Sequence, residues 1–316
     1  MSGIKSDKNK TGAKQGAKKP SKNCFEPSRA GGGSKPSRPD PGLYLVATPI
    51  GNMADITLRA LDVLTAADII ICEDTRVTKK LLIRHDISTP TLAYHEHNAA
   101  RVRPMIIERL KNGDVVALVT DAGTPLISDP GYRLTKACIE DNIPFTILPG
   151  PSAPLAALAL SGLPTDRFLF AGFPPSKKSA RKKWLAELTA IPATLIFFES
   201  AKRLASSLSD MMAVFGPREA AMAREITKLY EEVRRAPLDE LATHFETQGP
   251  PKGEVVIVVA PPDAIAETGE DETDRLLIQA MENLSLRDAA EAVAKASGRP
   301  KRDVYARALA LSGKQG

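Results

Sequence analysis

Short apolar runs alternate with segments of helical period along most of this chain. Leu43 to Thr48 is such a run, closed by Pro49 and Gly51, which predicts a buried strand entering a turn. Leu58, Leu61 and Leu64 then recur at helical spacing within 57–65. Asp68 to Cys72 predicts a second strand, and the basic segment with Lys79, Lys80, Leu81, Leu82 and Arg84 a helix. The rhythm continues with strands over 91–94, 115–119 and 145–148 and helices over 99–111, 132–140 and 151–160. It restarts around Ser161–Asp166. Strands follow at 168–170, 193–198, 219–224, 230–234 and 254–260, with helices at 179–188, 203–215 and 238–247. Pro261, Pro262 and an acidic stretch to Asp274 suggest a linker. Three short helices close the chain at 274–283, 285–296 and 300–311. Ser285 is placed to cap the second, with Asp288 three residues on.

Strands that are apolar at every position, alternating with helices, imply an α/β fold whose mainly parallel or mixed sheets are covered on both faces. A length of 316 residues suits two such domains. The expected division is a tail at 1–41, an N-terminal α/β domain at 42–163, a second α/β domain at 164–262, and a small helix-turn-helix-like module at 270–316. Ligands of such sheets bind beyond the carboxyl ends of the strands. The loops that follow strands are therefore where chemistry is expected.

Charge changes the picture at the N-terminus. Residues 1–41 carry eight Lys and two Arg against Asp7, Glu26 and Asp40, a net +7, so the whole chain's +5 leaves the body at −2. That segment is rich in Gly, Ser, Pro and Lys and has almost no apolar residues, which predicts disorder. It is either a solubilising extension or a tether with nonspecific attraction for phosphate. No apolar run of about 18 residues lacks a breaker, and the N-terminus has no secretory apolar core, so neither a membrane span nor a signal is expected. The cysteines (Cys24, Cys72, Cys138) are three and widely spaced. This excludes a disulfide scaffold and a paired-CxxC zinc site, and it suits a reducing cytoplasm.

The richest loop runs from Thr120 to Gly131 and directly follows the most apolar strand. Gly123 and Gly131 permit left-handed backbone, and Pro125 and Pro130 stiffen it. Asp121 at the strand tip either meets a cationic ligand group or turns onto its own backbone. The first loop, Thr48-Pro49-Ile50-Gly51-Asn52, holds one glycine. It fits neither GxGxxG nor GxxxxGK[ST], which argues against an ordinary dinucleotide fold and a P-loop NTPase. Pro149-Gly150-Pro151-Ser152 turns rigidly into a helix, where Ser152 either caps or offers a hydroxyl to a nucleoside.

Taken in order, Ala47–Asn52, Glu73-Asp74-Thr75-Arg76, His95–Asn98, the 121–131 loop, Pro149–Ala153, Phe198-Glu199-Ser200 and Ala223–Lys228 resemble the tetrapyrrole-methylase superfamily from about Gly42 to Ala260. Members that methylate tetrapyrrole carbons have a Gly-Asp-Pro where this chain has Thr120-Asp121-Ala122, which favours the branch acting on ribosomal RNA. That branch often carries Pro-His-Arg where Ala201-Lys202-Arg203 stands here, and residues 1–41 have no counterpart. The resemblance implies S-adenosylmethionine in a cleft between two α/β domains, usually in a homodimer. It also implies 2′-O-methylation of a cytidine in the decoding region of 16S rRNA, at position 1402, with the small ribosomal subunit as partner. By position, Asp121 would meet the methionine amino group, and Pro49 and Thr124 the methionine and ribose end. Ser152, Ala153 and Ala223 would lie near the nucleoside.

A ribose hydroxyl is a weak nucleophile, so a base is expected among Glu73, Asp74, Glu199 and Glu225, with Glu73 or Asp74 favoured. Arg76 and Lys228 are candidates for stabilising a developing alkoxide. His95 and His97 flank Glu96, but HExxH and an obvious third ligand are absent. The expectation is a polar loop and no metal. Lys177, Lys178, Arg181, Lys182 and Lys183, with Trp184 alongside, form the strongest RNA-binding signal of the body. Two other readings stay open: a tetrapyrrole C-methyltransferase, and a noncatalytic RNA-binding assembly factor.

Overall fold

Strands of the first 150 residues pair into one all-parallel sheet in the order β3-β2-β4-β1-β5. These are β1 (Gly42–Val46), β2 (Ile69–Cys72), β3 (Thr91–Ala93), β4 (Val115–Val119) and β5 (Phe145–Leu148). The structure, a computed structural model, describes residues 38–129, 131–262 and 270–312. The basic tail read at 1–41 lies outside the described residues up to position 37, and so do Cys24 and the linker over 263–269. Among the described residues no helix is long and apolar enough to cross a membrane.

The strands of this sheet alternate their side chains between two cores, as a period of two requires. Tyr44, Val46, Ile70, Cys72, Ala117 and Val119 face helices α1 (Leu58–Ala66) and α2 (Thr75–Arg84). Leu43, Leu45, Ile69, Ile71, Val116 and Leu118 face α3 (Ala99–Lys111) and α4 (Tyr132–Glu140). Burying an Ile or Leu of this kind contributes roughly 1.5–3 kcal/mol. A strand covered on both faces therefore has no position left for a polar residue.

The chain divides into two units between Ser152 and Ala153. Helix α5 (Ala153–Ser161), expected to end the first domain, packs on the sheet of the second unit, against strands β7, β8 and β10. That sheet runs β6-β7-β10-β8-β9 and is mixed. Its strands are β6 (Phe168–Gly172), β7 (Thr194–Ser200), β8 (Glu219–Arg224), β9 (Glu232–Pro237) and β10 (Glu254–Val259). Only β6 and β7 are parallel; β10, β8 and β9 pair antiparallel. Leu185 of α6 (Lys178–Leu188), Leu208 and Met211 of α7 (Leu204–Phe215) and Leu241 of α8 (Leu238–Gln248) close one core with Phe197, Met222 and Ile257.

One strand sits later than predicted. The segment 225–231 is a turn, with Glu225 and Thr227 at φ +49 and +65 and Tyr230 71% exposed. Pairing with β8 sets Glu232 opposite Arg224, so β9 begins there and not at Tyr230. The last three helices, α9 (Glu270–Met281), α10 (Leu286–Ser297) and α11 (Lys301–Ser312), share a core of Leu277, Ala290, Val293, Val304 and Ala308. Ser285 caps α10 as expected, accepting from the Asp288 amide at 3.2 Å.

Arg181 departs from the sequence reading. It is 3% exposed, and its guanidinium donates twice to Asp210, at 2.9 and 2.6 Å. It belongs to the interior that joins α6 to α7 and has no surface to offer a phosphate. Removing one partner of a buried pair strands the other charge and costs about 3–5 kcal/mol. Asp210→Ala is accordingly expected to lower the urea midpoint of the second unit sharply. An unchanged midpoint would show the pair to be dispensable.

Candidate active site

At the carboxyl end of the first sheet the chain leaves adjacent strands in opposite directions. From β1 it passes to α1 on one face, and from β4 to α4 on the other. Such a divergence opens a crevice at the strand ends. Three loops border it and are stitched together. Thr48 N–H donates to the Gly123 carbonyl at 2.9 Å, and Gly123 N–H returns a bond to Thr48 at 3.0 Å. The Thr48 hydroxyl donates to the Thr120 carbonyl at 3.1 Å. The Thr124 hydroxyl donates to the Pro151 carbonyl at 3.0 Å, which ties in the loop after β5.

Gly123 holds φ +89, a conformation that favours glycine. A side chain at Gly150 would bring its Cβ to 2.9 Å from that of Ala47, so the third loop approaches the first only through glycine. Leu126 and Ser128 also lie at positive φ, +73 and +67. For residues with a Cβ this is stored strain of the kind that gathers at functional sites.

Carboxylates converge on the crevice. Asp121 is exposed, and its Oδ1 accepts from the Asp74 amide at 3.2 Å. Asp74 caps α2, accepting from the Arg76 amide at 2.8 Å, and pairs with the Arg76 guanidinium at 2.6 Å. Those hydrogen bonds hold its carboxyl at about 2. Glu73 has no such relief: enclosure first, then the charge of Asp121, pushes its pKa up, against an opposing pull from His95. Asp121, though exposed, is raised too, by partial desolvation first and then by the charge of Asp74. Asp129 is pushed to about 6 by burial and by Glu73. A site that gathers negative charge and raises carboxyl pKa values is built for a cation.

Of the residues read from sequence, Pro49, Asp121, Thr124 and Ser152 all lie in the stitched loops of the first unit. Ala153 and Ala223 belong to the second, Ala153 opening α5 and Ala223 buried in β8. Two candidate bases are committed elsewhere. Glu199 is buried and accepts from Ser200 N–H at 2.7 Å, from the Ser207 hydroxyl and from Arg203 at 2.8 Å. Glu225 accepts from Glu254 N–H and from Lys228 Nζ, at 3.1 and 3.0 Å. Lys228 also pairs with Glu254 and Arg76 with Asp74, so neither is an uncompensated cation. Asp74 shares that fate, and of the four candidates Glu73 is left with neither ion pair nor hydrogen bond among the described residues. Sequence reasoning passed over Asp129; the signal was its place at the end of the richest loop. His95 and His97 stand edge to face at 6.0 Å, with His95 N–H donating to Asn98 Oδ1 at 2.9 Å.

Comparison with known proteins identifies the family. The sequence model described as Tetrapyrrole (Corrin/Porphyrin) Methylases matches residues 42–242, and the one described as the RsmI C-terminal HTH domain matches 267–312. A ribosomal RNA small subunit methyltransferase I from Mesorhizobium japonicum is 53% identical over 283 residues, covering 89% of this chain and 96% of that protein. Its counterpart from Vibrio cholerae is 46% identical, over 84% of this chain and 93% of that one. Among solved structures, a cobalt precorrin-4 methyltransferase of cobalamin biosynthesis shares the fold at a TM-score of 0.53 and 18% identity. It covers 69% of this chain and 94% of its own.

Asp129 gives the crevice a measurable pH signature. Folding raises its pKa from an ordinary 3.8 to about 6. The protonated form therefore favours the folded state below about pH 4, and that contribution is lost as pH rises through about 6. Asp129→Asn is expected to gain stability relative to the parent across that interval and to hold the gain above it. Parallel stability–pH curves for the two proteins would contradict this.

Proposed function

We propose that this chain, which belongs to the tetrapyrrole methylase family and within it to the ribosomal RNA small subunit methyltransferase I group, methylates the 2′-oxygen of a cytidine ribose in 16S rRNA with S-adenosylmethionine as donor. The observation that carries the reading is the crevice of the first unit, where Asp121, Glu73 and Asp129 have no ion pair among the described residues and stand beside loops stitched at Thr48 and Gly123. The donor has a sulfonium and an α-amino group, both positive, and the residues present fit it. When bound it supplies a methyl group already activated by the sulfonium charge.

The protein's own work is to bind, orient and accept a proton. Asp121 takes the amino group, while Pro49, Thr124 and Ser152 line the donor from the first unit. Orientation matters most, because the attacking oxygen, the methyl carbon and the sulfur must lie in line. Glu73 takes the hydroxyl proton as the oxygen–carbon bond forms and the carbon–sulfur bond breaks. Its raised pKa makes it a better acceptor than an ordinary carboxylate, and Asp74, held at about 2 by Arg76, a poorer one. We assign the target to the decoding-region cytidine at position 1402, the working state to a homodimer and the compartment to the cytoplasm.

Labelled donor incubated with small subunits lacking the mark, and with naked 16S rRNA, should yield 2′-O-methylcytidine on nucleoside mass spectrometry. Transfer to a tetrapyrrole instead, or donor binding without transfer to RNA, would overturn the reading. Asp121→Asn should weaken donor affinity about 10- to 100-fold, the range for a hydrogen bond to a charged group. Glu73→Gln should keep donor affinity, measured by calorimetry, and lower kcat by about 10²–10⁴. A Glu73→Gln protein with the parental kcat would remove Glu73 from the chemistry.

A further inference from the structure

In the second unit, the loop from Phe173 to Lys177 is held by two arginines, Arg181 buried and Arg203 half-buried. Arg203 Nη1 donates to the Pro174 carbonyl at 3.4 Å. Arg181 Nη1 donates to those of Pro175 and Ser176 at 3.5 and 3.4 Å. Each guanidinium is neutralised by its own buried carboxylate, Glu199 for Arg203 and Asp210 for Arg181. The loop is fixed without any surface charge being spent on fixing it.

This rigid loop presents an aromatic ring. Phe173 is 57% exposed and leans on Phe198 at 5.3 Å, which stands edge to face with Phe170 at 4.8 Å. Two rings thus hold a third half out of the protein. The lysines of this loop, of the helix it enters and beside Arg203 are, but for one, uncompensated. Lys177, Lys178, Lys183 and Lys202 are exposed and carry no ion pair among the described residues, whereas Lys182 lies 3.6 Å from Asp210. The first turn of α6 has no acidic side chain, and its cap residue is Lys177.

We infer that Phe173, Lys177, Lys178 and Lys202 form an RNA-docking platform, on which one unstacked base lies against the ring while the lysines take the flanking phosphates. The inference rests on the reading of ribosomal RNA as substrate and names the surface that receives it. A single strand offers both an aromatic face and regularly spaced negative charge, and this surface offers the complement of both. An acidic peptide would match the lysines and leave the ring unused. A duplex would meet the phosphates and hide its bases.

The test uses the full chain with naked 16S rRNA and with small subunits lacking the mark, each titrated at several salt concentrations. Phe173→Ala should weaken binding to both about tenfold, with the salt slope unchanged, and Phe173→Trp should restore it. The triple variant Lys177→Ala, Lys178→Ala, Lys202→Ala should reduce the slope of log affinity against log salt by about two. Donor affinity should be unaltered in all three proteins. Parental RNA affinity in both the Phe173→Ala and triple-lysine proteins would overturn the platform. So would weakening confined to assembled subunits, which would make the surface a contact for ribosomal protein. If the parent protein binds donor but neither RNA nor subunit, it is the ribosomal RNA reading that fails.

Discussion

Two backbone hydrogen bonds between Thr48 and Gly123 hold together what the fold would otherwise separate. Strands β1 and β4 are neighbours, yet the helices that follow them cover opposite faces of the sheet. Their loops must diverge, and divergence alone would leave an open, poorly defined crevice. The bridge closes the two loops onto each other two residues beyond β1 and four beyond β4. It demands a left-handed residue on one side, supplied by Gly123, and it is reinforced by the Thr48 hydroxyl on the Thr120 carbonyl. Asp121 lies between the two anchored positions, so its backbone is fixed before any ligand arrives.

That rigidity makes the electrostatics useful. Desolvation first, and neighbouring carboxylates second, raise the pKa values of Glu73, Asp121 and Asp129, and those shifts record a cost to the folded protein. In a mobile loop such groups would drift apart into solvent. Held in place, they return part of that cost when a cation enters, because the same charges that disfavour one another favour it. The positive φ of Leu126 and Ser128 is the conformational counterpart, a strained backbone that keeps Asp129 turned inward, half-buried at the end of the loop.

Much of this was legible before any coordinates. Val115–Val119 is apolar throughout because both faces of β4 are covered, and its carboxyl end announced the loop that bears Asp121. The same rule misleads for β10. It too is apolar at its central positions, not because its neighbours are parallel but because it is the middle strand of a mixed sheet with helices on one face and α5 on the other. Arg181 was misread for a different reason. In a run of five cations, sequence counts charges but cannot tell which one the helix turns inward, and the partner that accepts it, Asp210, lies 29 residues away. Glu199 and Glu225 stand near strand ends as a base should, but beyond their local partners each takes a donor that only the fold brings, Ser207 of α7 for Glu199 and the Glu254 amide of β10 for Glu225. Helix α5 follows its loop without a break, and no local signal says which sheet it joins.

The chain also sorts its cations by chemistry. A guanidinium is weakly hydrated and forked, so it tolerates burial against a carboxylate; Arg181 is used in that way, and Arg203, half-buried, reaches the buried Glu199. An ammonium is strongly hydrated and is left at the surface, as at Lys177, Lys178 and Lys202. The result is that the body's small net charge of −2 conceals two local fields of opposite sign. Carboxylates crowd the strand ends of the first unit, and lysines surround the Phe173 loop of the second. At physiological ionic strength charges are screened beyond about 8 Å, so a ligand meets the charges beside it and not the total. A protein that must attract a small cationic donor and a polyanionic acceptor needs patches of both signs, since one uniform surface charge would repel one of the two.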